Sequence, residues 1–536
     1  MSARTLTCLA AGSIAVALAS PADAVEARSI GVASVASSSV DDPITRLQAL
    51  MKRVREGRAV LQGPVLVQAK GYMADTRLLW SIDPSRANDA ALAMLDVMGL
   101  FLDAVPDPLR PTPEADLRDV AAETLQAHLS SDFGRWLATE VLSMPRTQPV
   151  ERRLAVMRLF ERNTVPSAKL ALLACTRESE PRIRMAALRG LVGWEDDVVH
   201  ACFLAELERD AAKLDPTAAS LAEKHFGSVR FGAHSRVAER YAALVRVGLV
   251  STDWRTVVRA TVLQKPLENE VMIPDLIEAL SVWKARADEG VQSLRVRHEL
   301  RRALRERSGR AFGLEPEDWR AWWELVRSGS SRGFSPQTPG GVPESTEATF
   351  FGIRPMTDRV VFVLDRSGSM NTIFGRGTAG RTETGHRRWD EAVGQMVGFL
   401  EDLGPKCSFD VVLFHDLGEI WKGKLVPATA ENVRAAKDWL RGQPPNGSTH
   451  LRAGVDAALR IGPGGGIDVA KLEADTVIVL CDGETAEGPA WVDPFLEVVV
   501  PVTRVVFHGV QIGSSGDETL MRLARGSRGD FVRIGE

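Results

Sequence analysis

The chain has 536 residues, 45% hydrophobic and 25% charged, with a formal net charge of -4. That length exceeds a single core and predicts about three to four domains, while the balanced charge excludes a general nucleic-acid binder. Beyond Cys8, the cysteines Cys175, Cys202, Cys407 and Cys481 show no CxxC spacing and no histidine at zinc-site distance, which excludes a structural zinc module.

The first elements concern delivery. Arg4 precedes a short apolar segment, Cys8 to Ala19, that ends at Ala22-Asp23-Ala24, the A-x-A form of a cleaved secretory signal. Residues 1–24 are therefore expected to be removed. No later stretch is long and apolar enough to span a bilayer, so the expected location is outside the cytoplasm: periplasmic, secreted or at the cell surface. A polar Ser/Ala-rich stretch to about Asp42 opens a region to residue 150 in which Ala90 to Ala104 and Glu114 to Leu142 carry helical periodicity.

From residue 151 to 327 the chain repeats itself weakly. Arg153-Leu154-Ala155-Val156-Met157-Arg158 recurs 31 residues later as Arg184-Met185-Ala186-Ala187-Leu188-Arg189, with Pro181 opening the second copy. A helical segment follows each copy, and Pro274 to Leu280 with Val296 to Arg305 repeats the paired character. This pattern predicts a helical solenoid and resembles HEAT repeats, which implies a second protein-binding surface or a spacer. Trp319, Trp322 and Trp323 share one helix face and are expected in the core. The arginines Arg295, Arg297, Arg301, Arg302, Arg305, Arg307 and Arg310 are read as a solvated helix face, diluted by Glu299 and Glu306, rather than as an anion-binding stripe. Cys175 and Cys202 sit in neighbouring helical segments; a disulfide is open to them, and two separate buried thiols are the expected state.

Residues 328–346 turn to Ser, Gly and Pro and mark a linker. Downstream, in 347–536, strands and helices alternate. Strands are expected at Val360–Leu364, Phe409–Phe414, near Ile420, at Thr476–Cys481, at Val502–Phe507 and near Phe531. Helices are expected at Trp389–Leu400, Ala430–Leu440, Leu451–Leu459 and Glu518–Ala524. Such alternation predicts a doubly wound, mostly parallel α/β sheet, so the whole chain reads as multidomain, a helical solenoid followed by an α/β domain.

Ligands of such sheets bind at the carboxyl ends of the strands. The first strand ends in Asp365-Arg366-Ser367-Gly368-Ser369. Asp365, Ser367 and Ser369 alternate there around Gly368, so three hard oxygen ligands can turn toward one point. Such oxygens suit magnesium, manganese or calcium rather than zinc. Asn446-Gly447-Ser448-Thr449 and Cys481-Asp482-Gly483-Glu484 fall at equivalent loop positions, and each offers one further oxygen.

Together, Asp365-x-Ser367-x-Ser369, Thr449 and Asp482 resemble the metal-ion-dependent adhesion site of the von Willebrand factor type A family over roughly residues 357–536. The resemblance implies that Ser367, Ser369 and Thr449 contact a divalent cation or its waters, with magnesium the expected ion and manganese or calcium the alternatives. It implies that Asp365 and Asp482 supply the negative charge, and that a carboxylate of a partner protein completes the coordination. Two departures stand out: Ser448 occupies a position where many relatives have glycine, and Asn371 to Arg388 is a long polar insertion expected to rim the site. His386, His415 and His450 are left out of the metal set. There is no HExxH, no Walker-type GxxxxGK[ST], and no histidine arranged with Ser367 as a triad would need. The expectation is a non-enzymatic, exported adhesion-type protein. The alternatives are a noncatalytic subunit of an envelope enzyme complex and a structural envelope component that uses its solenoid for interaction.

Overall fold

The computed structural model describes residues 42–102, 112–144, 147–162, 165–227, 229, 231, 235–330, 349–374, 386–462, 466–483, 485–513 and 516–535. The expected signal segment 1–24 and all but the first three residues of the linker lie outside the described residues. Among the described residues no helix is long and apolar enough to cross a membrane.

The amino-terminal part is helical throughout, from Pro43–Arg55 to Pro316–Arg327, and its buried side chains form one continuous core. Proline opens several of the helices at their first turn, where a missing N–H costs nothing; Pro113, Pro181, Pro216 and Pro316 all stand there. Asp and Ser side chains cap others: Asp196 Oδ1 accepts from Val198 N and Val199 N at 3.1 and 3.0 Å. The Glu114 to Leu142 stretch is interrupted, with helices Pro113–Ala127 and Ser131–Trp136 followed by a π-helical turn at Leu137–Leu142. Pro274 lies inside the helix Asn269–Asp288 instead of opening one.

The recurring arginines explain the repeat. Arg153 and Arg184 occupy equivalent positions in the packed helices Val150–Arg162 and Pro181–Leu191. Both are buried and both meet an acid. Arg153 Nη1 donates to Glu178 Oε2 at 2.8 Å. Arg184 clasps Glu206 through Nε and Nη2 at 2.9 to 3.1 Å, while its Nη1 reaches the Glu178 and Ser179 carbonyls at 3.1 and 2.8 Å. Trp319, Trp322 and Trp323 are core residues. The arginine-rich helix Leu294–Ser308 is less solvated than its sequence suggests: Arg297 and Glu299 are buried, and Glu299 is held by Arg295 and Arg302. Cys175 and Cys202 are free thiols.

The carboxyl-terminal part is an α/β sandwich. Its strands are β1 (Arg359–Asp365), β2 (Ile373–Phe374), β3 (His386–Arg387), β4 (Ser408–Phe414), β5 (Gly418–Ile420), β6 (Val426–Pro427), β7 (Thr476–Cys481), β8 (Val506–Ile512) and β9 (Phe531–Ile534). The main sheet runs β5-β4-β1-β7-β8-β9, with β6 also on β4. Its central pairings are parallel, whereas β5 and β6 are antiparallel to β4. The helices are α1 (Arg388–Leu403), α2 (Ala430–Arg441), α3 (Leu451–Ala458), α4 (Val492–Thr503) and α5 (Thr519–Gly526).

Strand periodicity divides the side chains between two cores. Val360, Phe362 and Leu364 face one layer with the α1 residues Trp389, Met396 and Leu400. Val361 and Val363 face the other, with Val455, Phe495 and Leu523. The strand expected at Val502–Phe507 is displaced. Val502 and Thr503 end α4, which contains Pro501, and β8 begins at Val506. The β-branched run Val498-Val499-Val500 favours a strand locally. Its helical state buries Phe495, Leu496 and Val499 against the sheet, and tertiary packing overrides propensity.

The helical part grips the sheet at the amino ends of its strands. Gln292 Nε2 donates to Lys406 O at 2.8 Å, Ser408 Oγ at 3.0 Å and Asp358 O at 3.2 Å. The Arg359 guanidinium lies 5.2 Å from the Trp254 ring centroid. Leu294 N donates to Asp358 Oδ2 at 3.1 Å. Burial, and then the neighbouring Asp475, push the Asp358 carboxyl up to about 6. The folded state thus takes up this proton at a higher pH than the unfolded chain, so the ionised carboxylate weakens folding increasingly as pH rises from about 4 through 6. Asp358→Asn is expected to raise the urea midpoint more at pH 7.5 than at pH 5; an equal change at both pH values would mean that Asp358 titrates normally.

Candidate functional site

β1 and β7 are adjacent and parallel, and each ends its apolar run in an aspartate at the same edge of the sheet. Asp365 is the last residue of β1, on the same face as Val361 and Val363, and Asp482 follows the last residue of β7. Both are buried. Asp365 Oδ1 accepts from Ser367 N at 2.7 Å, and its Oδ2 accepts from the Cys481 thiol at 3.2 Å. Ser367 Oγ and Ser369 Oγ are 2.9 Å apart, and Ser369 Oγ donates to Asp482 Oδ1 at 2.7 Å. An aspartate, two hydroxyls and a second aspartate thus form one chain of contacts across two strand ends.

Thr449 comes from the loop before α3. That loop is sewn to the motif by its backbone: Gly447 O accepts from Gly368 N at 3.2 Å, Arg366 O from Asn446 N at 2.8 Å, and Thr449 O from Ala486 N at 2.9 Å. The left-handed residue of the turn is Gly447, with φ of +78°, and Ser448 uses its backbone N–H to reach Asp416 Oδ1 at 3.2 Å. The serine departure therefore falls where the turn does not require glycine.

Two carboxylates taken out of water side by side are costly to ionise. Burial first, and the proximity of Asp482 second, push the Asp365 carboxyl up to about 6. A divalent ion among two carboxylates and hydroxyls would offset that cost, and oxygen-only donors suit a hard cation. Among the described residues no three His, Cys, Asp or Glu side chains converge on one point, so a cation here depends on the hydroxyls. The donor set fits such an ion.

The sequence reading missed three participants. Arg388, the first residue of α1, donates from Nη1 to Asp482 Oδ2 at 3.0 Å. Cys481 touches Asp365 because Leu364 and Leu480 are in register, which sets the next residues of the two strands side by side. Arg366 holds Gln443 at 2.8 Å and Glu419 at 2.9 Å on the rim. Only Arg388 carried a signal, standing last in the polar insertion and directly before Trp389, the first apolar residue of a predicted helix. Of the histidines set aside, His415 lies between Asp416 and Glu419 and His450 meets Glu487 at 3.2 Å. The insertion leaves the site through the β2–β3 ladder; residues 375–385 lie outside the described residues.

A sheet with parallel central pairings lies between two helical layers and carries this cluster at the carboxyl edge of β1 and β7. Residues 380–532 match the family model described as "von Willebrand factor type A domain". The match takes in Thr449 and Asp482 and begins beyond Asp365 to Ser369. The chain is 35% identical over 146 residues to inter-alpha-trypsin inhibitor heavy chain H1 of Mesocricetus auratus, covering 26% of this chain and 14% of that protein. It is 31% identical over 195 residues to the human heavy chain H6, covering 34% and 14%. The chain thus spans about one seventh of the length of these curated relatives. Among solved structures, a von Willebrand factor type A protein from Catenulispora acidiphila aligns with 20% identity and a TM-score of 0.27, covering 34% of this chain and 40% of that one.

Proposed function

We propose that this is an exported, non-enzymatic binding protein whose type A domain holds a divalent cation at Asp365, Ser367, Ser369, Thr449 and Asp482 and docks an acidic group of a partner protein there. The observation that carries this reading is the contact chain from buried Asp365 through Ser367 and Ser369 to buried Asp482. Two carboxylates and neutral hydroxyls leave a divalent ion electrophilic, and an incoming carboxylate completes its shell. Specificity then comes from the rim, with Arg366, Asp416 and Glu419, rather than from the ion. Magnesium is the ion proposed, with manganese and calcium as the alternatives.

The relatives support interaction over catalysis, and the signal-like residues 1–24 support export. The helical part is proposed as a second protein-binding surface; roles as a noncatalytic subunit of an envelope enzyme complex or as a structural envelope component use that surface. The test is a crosslinked pull-down with the full mature chain in 5 mM magnesium, in chelator, and in chelator followed by excess magnesium, the concentration being about saturating for a weak hard-ion site. A partner captured, lost and recaptured in that order is the expected result. A partner retained equally in all three would move the interaction off the metal site.

A further inference from the structure

Asp482 is gripped on both oxygens, and both grips belong to one segment. Ser369 Oγ holds Oδ1 at 2.7 Å and Arg388 Nη1 holds Oδ2 at 3.0 Å. Between them the chain leaves through Gly368–Asn371 and β2, and returns through β3. Arg388 N closes the stem by donating to Thr372 O at 2.9 Å. The Arg388 side chain is only 10% exposed and that of Asp482 is not exposed at all.

The fold makes room for this guanidinium. A Cβ at Gly513, where φ is +100°, would lie 3.0 Å from Arg388 Nη2, so a residue with a side chain there would crowd the arginine. Gly513 is fixed in turn by donating its N–H to Ile534 O at 2.7 Å. An arginine at a helix start, a glycine slot opposite it and a fully buried carboxylate form a built ion pair, unlike the exposed Arg387–Asp390 pair beside it.

We propose that Arg388 is a resident countercation of the metal site: it neutralises Asp482 when no ion is bound and, as a like charge beside a divalent cation, holds the affinity of the site down. This rests on the metal reading given above. With Arg388 present the two carboxylates carry a net charge of about -1, and without it about -2, the charge count that sets cation affinity. The arginine keeps the empty site folded, and cation occupancy follows the surrounding concentration instead of being permanent.

The experiment is magnesium titration by calorimetry of the full mature chain at low ionic strength, comparing wild type with Arg388→Met, Arg388→Gln and Arg388→Lys. At least about a tenfold tighter dissociation constant is expected for both neutral variants, a floor well below what a unit charge several Å from a divalent ion gives at an effective dielectric near 20. Arg388→Lys is expected to stay within about threefold of wild type because it keeps the charge. In chelator the neutral variants should melt below wild type and recover with magnesium; a variant that folds only with magnesium also supports the proposal. Neutral variants that bind magnesium as wild type does, or more weakly, overturn the proposal and leave the metal site standing. Absence of magnesium binding in every protein, wild type included, overturns the metal reading and this inference with it.

Discussion

Asp365→Asn is expected to lack the magnesium-dependent thermal shift that the proposed metal site requires of the wild-type protein, while leaving the metal-free protein at least as stable. Two terms set this outcome. Wild type at magnesium a hundredfold above its dissociation constant gains about 2.7 kcal/mol by mass action, and a variant that cannot bind the ion gains nothing. Without metal, the ionised Asp365 carboxylate sits unexposed beside Asp482, and its displacement to about 6 corresponds to a burden on the order of 2–3 kcal/mol at neutral pH. The neutral amide removes that burden and keeps the acceptor for Ser367 N. Differential scanning calorimetry in chelator and in magnesium reads both terms. An Asp365→Asn protein that shifts with magnesium as wild type does would remove Asp365 from the metal set. One that unfolds in chelator would show that its carboxylate supports the fold by hydrogen bonding more than it strains it by charge.

The second large effect belongs to the helical part. Glu206→Leu is expected to cost about 3–5 kcal/mol, because it strands the Arg184 guanidinium in a site where both side chains are less than a tenth exposed. The paired replacement Arg184→Met with Glu206→Leu should recover most of that loss, since the cost arises from the unpaired buried charge rather than from the absence of the pair. Urea unfolding of the single and double variants decides it. A single variant within about 1 kcal/mol of wild type would mean that water or the Glu178 and Ser179 carbonyls already satisfy Arg184.

This ion pair also shows what the sequence made legible. The 31-residue recurrence was visible because Arg153 and Arg184 each open a repeat with a buried cation, but their partners, Glu178 and Glu206, stand 25 and 22 residues downstream and share no fixed offset. Repeats are read from what recurs, and the partners do not. In the α/β part, β1, β4 and β7 were legible to within a residue because buried parallel strands are continuous apolar runs bounded by polar turns. The helix α4 was not, since Val498-Val499-Val500 has the local chemistry of a strand and only its packing under the sheet makes it helical. The site divided in the same way. Asp365, Ser367 and Ser369 are neighbours in sequence and announced themselves. Arg388 meets Asp482 across 94 residues, and no local pattern encodes that contact.

The docking of the helical part beneath the sheet has a mechanical consequence. β1 begins beside Asp358 and Arg359, where Gln292, Leu294 and Trp254 take hold, and ends at Asp365. Its seven residues, about 23 Å long at a strand's rise, are flanked by β4 on one side and β7 on the other. A pull on a partner seated at Asp365 would run lengthwise down this strand into the helices. The hydrogen bonds of both flanking ladders would then be loaded together in shear, rather than opened one after another like a zipper.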